Sequence, residues 1–142
     1  MTVNFIAIFV CAIISMVVGF IWYGNILFGK KWMEIMGAPK DGMPMTDAMK
    51  KSMMGSYLVQ FLLSVLTFYI LANYIAGWKP AEGALGGVIN AFWIWLGFVM
   101  PVQAGGALWS GKTKQLSWAM FLIGAGYQLV TLLIAGALLA IW

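Results

Sequence analysis

Uncharged polar side chains interrupt the long apolar stretches of this 142-residue chain, and any chemistry must start from them. Ser56, Gln60, Ser64 and Thr67 recur at i, i+4, i+8 and i+11. That spacing lays them along one face of a helix. Gln103 and Gln128 interrupt two later apolar runs. Carboxamides and hydroxyls donate and accept hydrogen bonds but carry no charge. Such a set suits a small neutral solute, a lipid or an ion on a permeation route. It also suits plain hydrogen bonding between helices, worth about 0.6–2 kcal/mol per contact in a membrane. Trp93 and Trp95 lie mid-run, too deep for a simple interfacial belt. Their indole N–H groups need acceptors there, and Gln60 or Gln128 is expected to supply them. Gln60, Ser64, Trp93, Trp95, Gln103 and Gln128 are therefore the candidate substrate-binding or pathway residues.

Several other chemistries have no members. The chain has no His, which removes the commonest metal ligand and the side chain that titrates nearest neutral pH. Its single cysteine, Cys11, cannot form an intramolecular disulfide or a thiolate cluster. All eight cations are Lys, so the planar forks that clamp phosphate and carboxylate are missing. No Asp or Glu falls within an apolar run, leaving general acid–base catalysis and carboxylate-based proton coupling without a group. No catalytic residue, enzyme activity, cofactor or metal site is expected. Met43, Met45, Met49, Met53 and Met54 gather in one segment, and soft thioethers can hold Cu(I). Lys50 and Lys51 beside them repel a cation, and gap filling explains methionine as well.

Composition decides the class. Hydrophobic residues make up 63% of the chain and charged ones 8%, against about 25% charged in an ordinary soluble domain. Twelve charged side chains cannot cover a water-soluble body of this size. A soluble enzyme is excluded, and so is disorder, whose signature is the opposite. Eight dispersed lysines make no stripe for nucleic acid.

Crossing a bilayer core about 30 Å thick takes roughly 20 apolar residues in helix. Four segments of the chain suffice: about 3–23, 54–78, 83–109 and 116–142. The first is read as a retained helix, since no Lys precedes it and it exceeds a signal peptide's apolar region. The whole of 1–142 reads as one transmembrane domain, an all-α four-helix bundle. Lys30, Lys31, Lys40, Lys50, Lys51, Lys112 and Lys114 fall in the first and third loops, and only Lys79 lies opposite. That bias places loop 24–53 and the third loop in the cytoplasm and both termini outside, in the inner (plasma) membrane.

Two local features refine the layout. In Leu27–Met36 the apolar residues Phe28, Trp32, Ile35 and Met36 fall near i, i+4, i+7 and i+8, which predicts a short interfacial helix. Gly37 should end it, and Thr46 should cap the helix that climbs into the second span. In the third span Pro101 removes a backbone donor, and Gly105 and Gly106 follow. A kink or break near Met100–Gly106 is expected.

The run Gly19-Phe20-Ile21-Trp22-Tyr23-Gly24-Asn25-Ile26-Leu27-Phe28-Gly29-Lys30-Lys31-Trp32-Met33 resembles the N-terminal signature of the domain-of-unknown-function 1761 family, small four-helix membrane proteins of mainly bacterial distribution. The resemblance implies a fold and no catalytic residues. Within this motif Trp22, Tyr23, Phe28, Gly29, Lys30 and Trp32 suit a membrane interface. Gly19 and Gly24 suit close approach by another helix or a returning chain.

Small residues on spans three and four favour close helix packing and suggest a homo-oligomer. Two readings follow. One is an oligomeric transporter or channel for a small neutral solute, lipid or ion. The other is a non-transporting accessory protein that binds membrane lipids or another subunit. The residues do not identify a small-molecule substrate.

Overall fold

A computed structural model describes residues 3–37 and 46–142. Lys40, Met43 and Met45, and the irregular segment expected around Pro39, Gly42 and Pro44, lie outside the described residues. The regular elements among the described residues are all helices: α1 (Phe5–Trp22), α2 (Gly29–Met36), α3 (Asp47–Gly77), α4 (Gly83–Ile94), a π turn (Trp95–Val99), α5 (Met100–Leu108) and α6 (Lys114–Ile141). Four helices are long and apolar enough to cross a membrane, α4 to α5 counting as one. This is a membrane protein by the length and composition of its helices.

Side chains that compete for backbone groups mark the helix starts. Asn4 accepts from the N–H groups of Ile6 and Ala7 at 3.0 and 3.3 Å. Thr46 accepts from Met49 at 3.2 Å, and Thr113 from Leu116 at 3.4 Å. Each satisfies a donor that the first turn leaves without a partner. Helix α2 begins at Gly29, two residues later than the apolar pattern suggests, and stops at Gly37 with φ +67°.

Helix α6 is the centre of the packing. It touches α1, α2, α3, α4 and α5, whereas α3 packs on α1, α4 and α6 and shares no packed face with α5. At the α4–α6 crossing, Gly87 and Gly136 bring two backbones together: a Cβ on either would fall on the other's carbonyl. Close approach of this kind is how helices gain dispersion energy where lipid offers no hydrophobic drive. Around that crossing Ile8, Cys11, Ala12, Phe68, Leu71, Ile75, Ala91, Leu132 and Ala135 form a buried apolar cluster. The cluster fills the half of the bundle away from α2.

The third span is continuous but irregular, and the irregularity lies one turn earlier than Met100–Gly106. Residues 100–108 are regular α-helix, and the π turn at Trp95–Val99 precedes them. Met100 donates its N–H to the carbonyl of Trp95, an i to i+5 bond. Proline lacks an N–H, and its ring clashes with the carbonyl four residues back. One widened turn just ahead of Pro101 absorbs that defect without breaking the helix. Gly105 and Gly106 lie in ordinary helix with open space around them.

Candidate functional site

The half of the bundle nearest α2 holds a cavity of about 490 Å³. Its lining joins four long helices: Gly19, Phe20 and Tyr23 from the end of α1, Gln60 from α3, Gln103 from α5, and Tyr127 and Gln128 from α6. A second cavity of about 340 Å³ shares Gln60, Tyr127 and Gln128 and continues past Ser15, Ser64 and Thr67 to Phe68. Phe68 belongs to the apolar cluster, so the polar lining ends where the packed half begins. The mouth lies between α3 and α5, with Tyr57 and Gln60 exposed at it.

Three glutamines far apart in the sequence therefore meet at one site. Among the described residues, no side-chain hydrogen bond engages the carboxamide of Gln60, Gln103 or Gln128, although Ser64, Tyr127 and Thr131 and the indole of Trp95 all donate to carbonyls. Among the described residues, none that lines either cavity is charged. Moving an ion into such a place costs several kcal/mol without a countercharge. Neutral hydrogen-bonding ligands incur no such penalty.

Glycines make the room. A Cβ at Gly124 would lie 3.2 Å from Gln103 Oε1, and one at Gly19 would lie 3.3 Å from the Tyr127 hydroxyl. Tyr127 donates that hydroxyl to the carbonyl of Ser15 at 3.0 Å, tying α6 to α1 beneath the cavity. Tyr127 is the residue that the sequence reading missed. Its signal was a phenol within an apolar run beside Gln128, which needs a partner when buried.

The hydroxyls of α3 behave differently from the glutamines. Ser56, Ser64 and Thr67 each donate to a carbonyl of their own helix, those of Ser52, Gln60 and Leu63, at 3.1, 2.9 and 2.9 Å. These groups do not bond across helices. Such i−4 bonds satisfy the hydroxyl within the helix. Ser64 is buried and lines the deeper cavity.

The two tryptophans of the third span are elsewhere. Trp93 is 52% exposed on the bundle's outer face. Trp95 donates its indole N–H to the carbonyl of Ala125 at 2.9 Å, in place of Gln60 or Gln128. Neither lines the cavity. Residues two apart on a helix point about 200° from each other, so the bundle interior can take only one of the pair. Pro101 acts on the site indirectly, through the π turn that sets the register of Gln103.

The aromatic motif after α1 forms the wall beside the mouth. Trp22 donates to the carbonyl of Ile123 at 3.0 Å and meets Phe28 at a tilt of 51° with 5.1 Å between centroids. Tyr23 lies 4.9 Å from Trp32 and 5.3 Å from Tyr127. The chain then doubles back: Gly29 N–H meets the Gly24 carbonyl at 2.9 Å, and Phe28 N–H meets that of Trp22 at 3.0 Å. A Cβ on Gly29 would stand 2.6 Å from that Gly24 carbonyl, so the return needs glycine there. Helix α2 is fastened by Ile35, which is buried, and by Lys112, whose ammonium donates to the Ile35 carbonyl at 2.7 Å. Lys30 is exposed, and the ion pair of Lys31 with Glu34 at 2.9 Å is a surface one.

The motif Gly19–Met33 thus folds as one unit that contributes Gly19, Phe20, Tyr23 and Gly24 to the cavity wall. The chain matches the family described as "Protein of unknown function (DUF1761)" over residues 6–140. The chain belongs to the DUF1761 family. Membership covers all four spans, the cavity included. No curated protein and no solved structure matches the chain.

Proposed function

We propose that this protein binds a small neutral, hydrogen-bonding solute in the Gln60–Gln103–Gln128 cavity and carries it across the membrane as an oligomer. The carrying observation is the convergence of three carboxamides, from three helices, on one cavity where no side chain among the described residues hydrogen-bonds to them. The cavity ends at the apolar cluster around Phe68. That blind end favours a carrier with a gated far half over an open channel.

In this reading α2 lies along the cytoplasmic interface, loops 24–53 and 110–115 face the cytoplasm, and both termini lie outside the inner membrane. The support is the lysine bias, seven residues on one side against Lys79 on the other. Oligomerisation would cover the mouth between α3 and α5. The accessory reading assigns the polar seam to helix glue. The inward-bonded hydroxyls of Ser56, Ser64 and Thr67 count against it.

Native mass spectrometry of the full chain released from lipid nanodiscs tests the proposal, with wild type beside Gln60→Leu/Gln128→Leu. A small molecule retained by wild type and lost by the variant, at unchanged thermal stability, is expected. A variant that unfolds at lower temperature while wild type holds only phospholipid overturns it in favour of the accessory reading.

A further inference from the structure

Away from the carboxamide cavity, a short turn joins α5 to α6. The turn is built to hold one shape. Gly111 adopts φ +70°, a conformation that costs a residue with a Cβ strain and glycine nothing. Ser110 donates its hydroxyl to the Ala107 carbonyl at 2.8 Å, lies 3.0 Å from the Ser117 hydroxyl, and accepts from Lys112 N–H at 3.4 Å. Thr113 caps α6. Two ammonium groups one residue apart are thereby carried on a fixed frame.

Beneath them is a cleft of about 330 Å³. Its polar end is Lys112, Lys114 and Ser117, and its apolar end is Ala104, Leu108, Trp118 and Phe121. The ring of Trp118 meets Phe121 edge-on at 5.7 Å. Leu108 in its wall and Trp109 just beyond it are 69% and 91% exposed, an arrangement that suits lipid. Lys112 also holds α2 through the Ile35 carbonyl, so one of its three N–H groups is taken. Neither lysine forms an ion pair with a carboxylate among the described residues. The first-turn N–H groups of the 28-residue α6 add to the same positive field.

We propose that this cleft is a specific site for one anionic phospholipid, its phosphate on Lys112 and Lys114 and its acyl chain along Leu108, Trp118 and Phe121. The chemistry is a phosphate diester joined to hydrocarbon: cationic at one end of the cleft and apolar at the other. A headgroup with net negative charge is favoured over a zwitterionic one because a choline ammonium would face the two lysines. Basic clefts between helices at the cytoplasmic face hold anionic headgroups on these terms. The site rests on the chain spanning a membrane and not on any ligand in the glutamine cavity.

The test uses the full chain in detergent micelles with phosphatidylglycerol or phosphatidylcholine of the same acyl chains, counting retained lipid by native mass spectrometry. Wild type is expected to retain one phosphatidylglycerol at least about fivefold more readily than phosphatidylcholine, a factor that follows from one lysine near an anionic surface. Lys114→Gln should bring that preference close to unity, and Lys114→Glu should reverse it. Lys79→Gln, at the opposite end of the bundle, should leave it unchanged. Equal retention of the two lipids by wild type, or an undiminished preference in both Lys114 variants, overturns the proposal. Glycerol phosphate that competes as well as the intact lipid also overturns it, since the site would then take a soluble anion. Melting temperature of each variant without added lipid separates loss of the site from loss of the fold.

Discussion

Trp22 and Ile123, 101 residues apart in the chain, are joined by one hydrogen bond of 3.0 Å from the indole N–H to the backbone carbonyl. The same indole lies against Gly126, where a Cβ would stand 3.1 Å from the ring. One side chain thus fixes both the end of α1 and its distance from α6. Trp95 does the same from the other side through the carbonyl of Ala125. The segment Ile123–Gly126, whose Gly124 lines the cavity, is therefore held by two indoles.

Trp22→Phe removes the donor and keeps an aromatic ring on Phe28. It should cost about 0.5–1.5 kcal/mol, the net worth of an ordinary hydrogen bond. Gly126→Ala should cost more in wild type than in Trp22→Phe, because the shorter ring leaves room for the methyl. Thermal unfolding of both single variants and the double in one detergent measures that coupling. Strict additivity would show that the ring and the glycine do not meet.

Glycines in this chain are not equivalent, and alanine separates them. Gly136→Ala drives a methyl into the carbonyl of Gly87 and toward the Ala91 Cβ at 2.8 Å. Destabilisation of about 1–3 kcal/mol or more is expected. Gly105→Ala meets nothing within 4 Å and should stabilise α5 by up to about 1 kcal/mol through helix propensity. A melting temperature that falls for the first and rises for the second is the expected outcome.

Pro101→Ala restores the missing N–H and removes the reason for the π turn. The span should then favour uninterrupted α-helix, and Gln103 should turn by about 100° relative to the residues before Trp95. Stability equal to or above wild type is expected, with loss of any solute that wild type retains in native mass spectrometry. A variant that keeps both its solute and the wild-type melting temperature would show that the π turn does not depend on the proline.

Long-range packing accounts for most of what the sequence left open. Spans, caps at Thr46 and the stop at Gly37 were legible because each depends on a few consecutive residues. The i, i+4, i+8 run identified the face of α3 that carries Gln60. What no spacing reveals is whether a hydroxyl bonds outward or back to its own helix, and Ser64 and Thr67 bond back. Trp95 was expected to seek a carboxamide, but a backbone carbonyl of α6 lay closer. The meeting of Gln60, Gln103 and Gln128 depends on how four helices cross, and that is set by contacts such as Gly87 with Gly136. The irregularity of the third span was expected at the proline; the helix relieved it one turn upstream, where Gly97 leaves open space.

Helix α6, the partner of every other helix, is synthesised after all the helices it joins. The earlier spans must wait in the bilayer with their small-residue faces lined by lipid until it arrives. The packing of α1 on α3 and of α3 on α4 can form first, and α6 then closes the bundle. Any quality-control factor that surveys this chain during synthesis would meet an open cluster of helices in which Gly87 still lacks its partner Gly136. A stop codon anywhere in α6 should therefore yield a short-lived fragment and no functional smaller bundle.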